Sequence, residues 1–378
     1  MSQLRGLLRR RRGWGAREKE RHYAARLRKP LDPDLAVYGA YWARGYSCNP
    51  RAIYERAREL VPNTRGVWVV RRDAVDAIPP GVEYVVQGTP EYFDAIARAT
   101  YLVNNVNFPN HLVKREGSIH VQTHHGTPLK WMGFDLKKSE SQGRGMNFDK
   151  LLERIARWDY SISSNRHSTE VWERVYPGTY ETLEVGYPRN DRLANATTEE
   201  VQRLRASLGI ARDQTAVLYA PTHREYEKGY VPKLDVARVA DALGPDHVVL
   251  VRPHYFYDAD PPAGGQLLDV ASHPSIEELC LAADVLLTDY SSIMFDYAVL
   301  DRPIVIHAPD WDEYCARRGV YFDLLAEPPG PVARTEDEVV EAVRAREDGA
   351  RAAFRARFCA LDDGHAAERV VRRVWGLP

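Results

Sequence analysis

Short apolar runs recur along the chain, and segments whose apolar residues have helical spacing separate most of them. Strands that alternate with helices pair in parallel, because a parallel connection needs a crossover that a helix can supply. The alternation therefore predicts a doubly wound α/β fold. The predicted strands are residues 36–38, 67–70, 84–86, 101–103, 119–123, 160–163, 216–220, 248–251, 267–270, 285–287 and 304–306.

The alternation is interrupted once, at residues 186–191, by a segment that contains Gly and Pro. A chain of 378 residues is long enough for two domains that each bury a core. We predict a first Rossmann-like domain at 35–190, a second at 191–378, and a cleft between them. Residues 336–376 are expected to be largely helical, with the last helix packing back across the first domain.

The N-terminal segment is strongly basic. Residues 1–30 hold eleven Arg or Lys and only two Glu, although the whole chain has a formal net charge of −1. Leu4, Leu7, Leu8 and Trp14 lie among these arginines and give the segment an amphipathic pattern. We predict that residues 1–34 form a basic helical arm on an anionic membrane surface. A disordered, solubilising arm is the alternative. Nucleic acid is not expected as a partner, because no known binding module follows.

The composition indicates a protein of the cytoplasm. No apolar run approaches the roughly 18–20 residues that span a bilayer, and the N-terminus lacks the apolar core of a signal peptide. The four cysteines, Cys48, Cys280, Cys315 and Cys359, are far apart and lack paired metal-ligand spacing. We therefore expect a cytoplasmic protein that attaches peripherally to the inner membrane face and has no disulfide framework.

Polar and basic residues follow four of the predicted strands. The carboxyl ends of parallel strands meet at one edge of a sheet, where ligands bind in open α/β folds. One Arg guanidinium can bind two phosphate oxygens at once, and His titrates near neutral pH. These strand ends therefore predict a site that binds pyrophosphate and moves a proton. The four segments are residues 124–130 (HHGTPLK), 222–224 (THR), 252–254 (RPH) and 289–292 (DYSS).

The strand at 285–287 leads into a hydroxyl-rich turn, and helical spacing predicts that a helix begins near Ser291 or Ser292. Such a turn leaves backbone N–H groups unpaired at the positive end of the helix dipole, which suits a phosphate. The alternative is an ordinary βαβ unit in which the serine is only an N-cap.

Several other chemistries lack their sequence signatures. His124 and His125 are adjacent, so on an extended chain they point to opposite faces and share an ion poorly. The chain has no HExxH, DxD, Walker loop, GxGxxG after a strand, or GxSxG. We expect no protein-bound metal and no tightly bound cofactor. The polar segment 137–149 is a candidate lid.

These motifs resemble those of the CDP-glycerol glycerophosphotransferase family, the teichoic acid primases and polymerases. The chain departs from the family pattern at three positions: His124 and His223 stand where aromatic residues are usual, and Cys48 stands where Asp is expected. The matching segments are residues 45–50 (GxSxNP-like), 125–130 (HGTPLK), 186–191 (GxPRND), 219–224 (YAPT-x-R), 252–254 (RPH) and 288–296 (TDYSS-x-x-FD).

The resemblance implies a GT-B fold and transfer of glycerol phosphate from CDP-glycerol, or a related CDP-polyol, to a polymer hydroxyl with release of CMP. It implies a lipid-linked or polymeric anionic acceptor and attachment to the inner face of the membrane. The donor alcohol, which could be glycerol, ribitol or another polyol, stays open, as do the choice between priming and polymerising activity and the oligomeric state. Two other classes also stay open: a GT-B glycosyltransferase that uses a nucleotide sugar, and a non-catalytic protein that binds polyanions.

The resemblance makes His125 and His254 the catalytic residues. We assign His125 as the general base and His254 to the pyrophosphate, although these two roles could be exchanged. The predicted donor- and phosphate-binding residues are Arg252, Asp289, Ser291, Ser292, Thr222 and Arg224. Among these, Asp289 is expected to orient a hydroxyl, a histidine or a local amide rather than to act as a base. The predicted acceptor-binding residues are Gly126, Thr127, Lys130 and Arg189.

Overall fold

Two parallel β-sheets form the framework of the protein. Its computed structural model describes residues 15–139, 145–224, 226–227, 231–253, 265–347 and 349–378. The strands of the first sheet are β1 (Asp32–Gly39), β2 (Arg65–Val70), β3 (Tyr84–Val86), β4 (Ala99–Asn104), β5 (Ile119–Gln122), β6 (Tyr160–Ser163) and β7 (Glu181–Glu184). The strands of the second are β8 (Thr215–Ala220), β9 (His247–Val251), β10 (Leu267–Asp269), β11 (Val285–Thr288), β12 (Ile304–His307) and β13 (Val332–Ala333).

Both sheets are doubly wound. Within the described residues, the first has the strand order β3-β2-β1-β4-β5-β6-β7 and the second has β10-β9-β8-β11-β12-β13. Neighbouring strands pair in parallel throughout. The order reverses between β1 and β4 and again between β8 and β11, and ligand sites form at such switch points. The predicted α/β architecture of two Rossmann-like halves is confirmed.

Helices cover both sheets and connect their strands. The α-helices are α1 (Ala16–Leu27), α2 (Cys48–Leu60), α3 (Pro90–Arg98), α4 (Phe148–Ile155), α5 (Arg166–Val175), α6 (Asp191–Asn195), α7 (Thr198–Ser207), α8 (Val236–Leu243), α9 (Ile276–Ala282), α10 (Ile293–Tyr297), α11 (Trp311–Arg318), α12 (Glu336–Ala345), α13 (Arg351–Phe358) and α14 (Ala366–Trp375). Within the part of the chain that the structure describes, no helix is long and apolar enough to cross a membrane.

The central strands of the second sheet are buried on both faces. Leu218, Leu250 and Leu286 pack in a core on one side of the sheet, whereas Val217 and Val249 pack in a core on the other. Successive side chains of a strand point to opposite faces, so a strand covered by helices on both sides needs continuous apolar residues. This burial explains why the strands were visible in the sequence as short apolar runs.

The last helix, α14, packs on the first half of the protein. Val370 and Val374 belong to the core that contains Tyr38 of β1, and Trp375 stacks on Tyr101 of β4 with ring centroids 4.4 Å apart. The predicted return of the C-terminal helix is confirmed. The predicted boundary at Asp191 lies between β7 and β8, but residues 366–375 cross back over it.

The predicted N-terminal arm lies only partly within the described residues. Residues 1–14, with Leu4, Leu7, Leu8 and Trp14, fall outside them. The following helix, α1, is part of the first domain rather than of a separate arm. Its Tyr23 is buried and accepts a hydrogen bond from the Val113 amide at 3.0 Å, and Arg26 pairs with Asp94 at 3.0 Å. Because β1 begins at Asp32, the predicted arm boundary at residue 34 is too late.

Candidate active site

His125 lies three residues beyond the end of β5, at the carboxyl edge of the first sheet. Its Nδ1–H donates to the carbonyl oxygen of Asn105 at 2.9 Å, and the ring of Tyr41 lies edge-on with centroids 5.5 Å apart. Because a carbonyl can only accept, this bond leaves the Nε2 lone pair of the neutral imidazole available. Burial lowers the pKa of His125, the Asn105 bond opposes this effect, and Arg189 reinforces it. The arrangement suits a general base near neutral pH.

The neighbouring His124 has a packing role. Its ring stacks on Trp172 with centroids 4.4 Å apart, and its Nε2 lies 3.0 Å from Ser161 Oγ. Burial lowers the pKa of His124 to about 3, so the ring is neutral. His124 thus packs as an aromatic ring would, at a position where the resemblance leads us to expect an aromatic residue.

Asp289 follows β11 at the switch point of the second sheet. Its Oδ1 accepts from the amides of Thr222 at 2.8 Å and Tyr290 at 2.6 Å, and its Oδ2 accepts from Arg224 at 3.0 Å. The carboxylate therefore aligns the turns that follow β8 and β11, which agrees with the predicted orientation of local amides. The hydroxyl of Thr222 is buried and has no hydrogen-bond partner among the described residues, so it is placed to bind a ligand.

Arg224 is held by two carboxylates. Its Nε and Nη2 donate to Asp310, each at 2.9 Å, and its Nη1 donates to Asp289. Burial lowers its pKa, but Asp310 and Asp289 outweigh burial and hold the pKa above the usual range. The hydroxyl of Tyr290 also donates to Asp310 at 2.9 Å. This geometry favours a positioning role for Arg224 over the predicted direct contact with donor phosphate.

Arg252 differs from Arg224 because carbonyl groups hold it. Its Nη1 donates to the carbonyls of Val270 at 3.0 Å and His273 at 2.8 Å, and burial lowers its pKa. In the part of the chain that is described, no carboxylate lies within 4.0 Å of its guanidinium. A half-buried cation without a carboxylate partner suits an anionic ligand. The predicted partner His254 lies outside the described residues.

Ser291 and Ser292 form the turn before α10, which begins at Ile293 as the sequence predicts. The side chain of Ser292 lies directly against Gly126, the residue after His125. A Cβ atom added to Gly126 would lie 2.8 Å from Ser292 Oγ and 3.1 Å from Ser292 Cβ. The structure therefore brings the predicted phosphate-binding turn of the second half next to the predicted base of the first.

An ion pair joins the two halves beside this contact. The Nη2 of Arg189 lies 2.6 Å from Asp296 Oδ2, and both side chains are largely buried. The Arg189 amide donates to Asn49 Oδ1 at 3.1 Å, and the Asn49 side chain in turn donates to the carbonyl of His124. The Sγ of Cys48, at the position where the resemblance leads us to expect Asp, lies 3.4 Å from the Arg189 Nη1. The guanidinium thus connects the two halves, which favours that role over the predicted acceptor contact.

The loop after His125 also forms hydrogen bonds with the second half. We define the clasp as residues 129–132 of the first half and 318–321 of the second. Its main-chain and side-chain hydrogen bonds hold the His125 loop in place without a regular sheet. They are Tyr321 N to Leu129 O at 2.8 Å, Trp131 N to Gly319 O at 3.1 Å, Met132 N to the Tyr321 hydroxyl at 2.8 Å and Arg318 Nη1 to Trp131 O at 2.9 Å.

The predicted acceptor-binding residues lie at the junction between the two halves. Lys130 lies in the clasp, where it forms an antiparallel bridge with Val320. Thr127 is buried, and its Oγ1 lies 3.0 Å from Ser164 Oγ. Gly126 is packed against the second half as described above. Their predicted roles toward the acceptor stay predictions, since each residue contributes to the junction between the halves.

Asn105 and Tyr41 were not predicted from the sequence, and together with Asn49 of the motif segment 45–50 they fix the position of His125 and its loop. Asn105 follows β4 at the switch point of the first sheet, a place where a strand-end search could have found it. Among the described residues, no group of three or more His, Cys, Asp or Glu is arranged to hold a metal ion. The predicted absence of a bound metal stays a prediction.

The chain is similar to several known proteins. A family model described as CDP-Glycerol:Poly(glycerophosphate) glycerophosphotransferase matches residues 21–376. The chain is 34% identical to the teichoic acid poly(glycerol phosphate) polymerase of Bacillus subtilis (strain 168), over 92% of the chain and 49% of that polymerase. It is 31% identical to the teichoic acid glycerol-phosphate transferase of Staphylococcus aureus (strain NCTC 8325 / PS 47), over 92% of the chain and 95% of that transferase.

A solved structure of the wall teichoic acid polymerase TagF superposes with a TM-score of 0.85 at 31% identity. The match covers 95% of the chain and 94% of that structure's chain, so both halves and their arrangement are alike. The predicted two-domain GT-B-type fold is thereby confirmed. The chain spans about half the length of the Bacillus subtilis polymerase and nearly all of the Staphylococcus aureus transferase.

Proposed function

The chain belongs to the CDP-glycerol:poly(glycerophosphate) glycerophosphotransferase family, and from this membership we propose its reaction. It transfers glycerol phosphate, or a related polyol phosphate, from a CDP-activated donor to a hydroxyl of a teichoic-acid-type polymer and releases CMP. The observation that carries the proposal is His125, whose Nδ1 is bonded to Asn105 while its loop rests on the Ser292 turn.

In the proposed mechanism, the acceptor hydroxyl attacks the β-phosphorus of the donor in line with the departing CMP. The Nε2 of His125 takes the hydroxyl proton, a role worth about 10²–10⁴-fold in rate. Phosphoryl transfer otherwise depends mainly on positioning and on stabilising charge. Arg252 and the turn at Ser291 and Ser292 would hold the pyrophosphate, and the Thr222 hydroxyl would donate to it.

The structure of the junction supports different roles for the two halves, one binding the donor and the other taking the proton. The second half offers the groups that suit a pyrophosphate, and the first half offers the base. The Arg189–Asp296 ion pair and the clasp keep the two sets at a fixed separation. Such preorganisation matters because a displacement of about 1 Å can cost roughly 10²-fold in rate.

We further propose that the protein works at the inner face of the cell membrane. The basic segment that precedes α1 would bind anionic headgroups, each Lys or Arg near the surface contributing about 1 kcal/mol. The acceptor would then be a lipid-linked or polymeric polyol phosphate. The reaction is proposed to need no metal ion held by the protein, because the cationic groups above would neutralise the donor phosphates.

The test is release of CMP from a panel of CDP-alcohols in the presence of a membrane fraction that carries acceptor. We expect CMP release with CDP-glycerol or CDP-ribitol, growth of the polymer, and a loss of about 10²-fold or more in a His125→Ala variant. A His365→Ala variant is the matched control, because His365 is an exposed histidine that lies outside the segments of the candidate site.

Release of UDP or GDP from a nucleotide sugar, without CMP release from any CDP-alcohol, would contradict the proposal. Near-normal turnover by the His125→Ala protein would contradict the assignment of the base. Thermal unfolding of both variants at the wild-type temperature establishes that the fold is intact. The length of the product separates addition of a single unit from polymerisation.

A further inference from the structure

A cavity of about 550 Å³ opens at the carboxyl edge of the first sheet, outside the residues assigned above. It is enclosed by the ends of β1, β2 and β4 and by the segments that follow β3 and β4. We call it the edge cavity. The polar and aromatic side chains that line it are Trp42, Arg71, Gln87, Asn104, Asn107 and Arg154.

The edge cavity combines positive charge with carboxamides. Within the described chain no Asp or Glu lines it, whereas Glu83, Glu91 and Asp94 line the cavity of about 570 Å³ beside α1. The Nε of Arg154 donates to the side chain of Asn110 at 3.0 Å, which holds the guanidinium at the wall. Arginine suits phosphate oxygens, and carboxamides suit hydroxyl groups. The lining therefore fits a ligand that carries both.

Arg154 and Arg71 differ in whether a carboxylate of the protein already pairs with them. Arg71 pairs with the neighbouring Asp73, to which its Nε donates at 3.0 Å. Within the described residues, Arg154 has no carboxylate within 4.0 Å. The charge of Arg154 is therefore the one that an anionic ligand would chiefly neutralise, and Arg71 would add a weaker contribution.

A strained turn forms the wall between the edge cavity and His125. Tyr41, Trp42 and Ala43 have φ angles of 44°, 57° and 64°, which places three successive non-glycine residues in the left-handed region. That region is unfavourable for residues with a Cβ, and such strain concentrates at functional sites. The turn sets Tyr41 against His125 and leaves Trp42 at the cavity with 48% of its surface exposed.

The same wall links the edge cavity to the base through hydrogen bonds. The Tyr41 amide donates to Asn105 Oδ1 at 2.9 Å, and the Asn105 carbonyl accepts from His125. Asn104, the preceding residue, lines the cavity. A ligand in the cavity would thus be separated from the base by the Tyr41 turn and by Asn105, which is bonded to both.

We propose that the edge cavity binds the acceptor as a chain of hydroxylated carbon units joined by phosphodiesters. Arg154, supported by Arg71, binds a phosphodiester, the carboxamide of Asn107 binds a hydroxyl, and the carbon backbone lies on Trp42. The terminal hydroxyl then passes Tyr41 to reach His125. This assignment rests on the proposed transferase function and names the acceptor side of that site.

The first experiment measures binding of a soluble oligo(glycerol phosphate) to the full chain by calorimetry, without any donor. The wild type is expected to bind it, and Arg154→Gln and Trp42→Ala are each expected to weaken binding about tenfold or more. Arg72→Gln and Tyr84→Ala are the matched controls, because both residues are exposed in the same domain and neither lines the cavity. Both controls are expected to bind like the wild type.

The second experiment separates the acceptor from the donor. In steady-state assays, Arg154→Gln and Trp42→Ala should raise the KM for the oligomer about tenfold, while the Kd for CDP-glycerol stays at the wild-type value. Arg154→Lys keeps the charge without the paired donors and should lie between wild type and Arg154→Gln. Unchanged thermal unfolding of each variant shows that the fold is retained.

The outcomes distinguish this proposal from the proposed function. The edge cavity assignment is overturned if the wild type does not bind the oligomer, or if both variants bind and use it as the wild type does. If no CDP-alcohol yields CMP, the transferase proposal fails. Loss of oligomer binding in the two variants would then still support the cavity as the polymer site.

Discussion

The buried ion pair between Arg189 and Asp296 gives a quantitative prediction about how the two halves are held. The side chains are 6% and 14% exposed, and Arg189 Nη2 lies 2.6 Å from Asp296 Oδ2. Replacing Asp296 with Ala leaves the guanidinium buried without its carboxylate. Removing one partner of a buried pair costs about 3–5 kcal/mol, because the remaining charge stays desolvated.

That cost translates into a large change in thermal stability. For domains of about 150–250 residues, each kcal/mol lowers Tm by about 2–4 °C, so about 3 kcal/mol corresponds to a fall of roughly 6–12 °C. We expect Asp296→Ala to show this fall by differential scanning calorimetry. Arg166→Ala is the control, because its pairing with Glu170 is exposed and worth about 1 kcal/mol or less.

A double variant refines the test. Arg189→Met combined with Asp296→Leu removes both charges, and we expect it to be more stable than Asp296→Ala alone. If Asp296→Ala unfolds within 2 °C of the wild type, a shift small beside the expected one, or if the double variant is the less stable of the two, the ion pair does not hold the halves together as argued.

Four further predictions concern the site. In a pH–rate profile, the acidic limb of kcat/KM should have its midpoint below the ordinary histidine pKa of about 6.5. Burial lowers the pKa of His125, and the base is lost only when the pH drops below that pKa. A midpoint above pH 7 would contradict this. Gly126→Ala should reduce turnover by about 10²-fold in the CMP assay, because the new Cβ would displace Ser292; wild-type turnover would show that the halves need not approach so closely. Gly319→Ala should lower stability by about 1–3 kcal/mol in thermal melts, because φ is +66° and a Cβ would overlap the Trp131 ring; an unchanged Tm would refute the tight clasp. EDTA should leave turnover unchanged, and a loss that Mg²⁺ restores would overturn the expected metal independence.

Most strands were predictable because the sheets are buried on both faces. β8, β9 and β11 consist almost wholly of buried apolar residues, which leaves a clear run in the sequence. β7 was missed because it is an edge strand in which only Leu183 is buried. The two-residue strand β13 is too short to leave a pattern. Helix α1 was assigned to a free arm because its many charges conceal the single buried residue, Tyr23.

The site was predictable only to the level of which segments meet. Strand order brings the ends of β5, β8, β9 and β11 to the carboxyl edges of their sheets, and the sequence placed the motifs there. It could not show which arginine meets a carboxylate. Arg224 pairs with Asp310, 86 residues later, while Arg252 is held by carbonyls. Such long-range choices depend on tertiary packing, which local sequence patterns do not encode.

The junction between the halves was also beyond the sequence. The motif residues Arg189 and Asp296 lie 107 positions apart, and the sequence predicts an acceptor-binding role for Arg189. The structure shows them bonded to each other. Asn105 was overlooked for a related reason, since its contact with His125 is made by its backbone carbonyl, which any residue type supplies.

The central claim is that His125 takes the proton of the acceptor hydroxyl. Its most direct test is single-turnover release of CMP from CDP-glycerol by the His125→Ala protein in the presence of the polymer acceptor, measured with and without added imidazole. We predict a rate at least about 10²-fold below that of the wild type, which rises with imidazole concentration as the free base replaces the missing side chain. A His125→Ala rate close to that of the wild type in the absence of imidazole would contradict the claim.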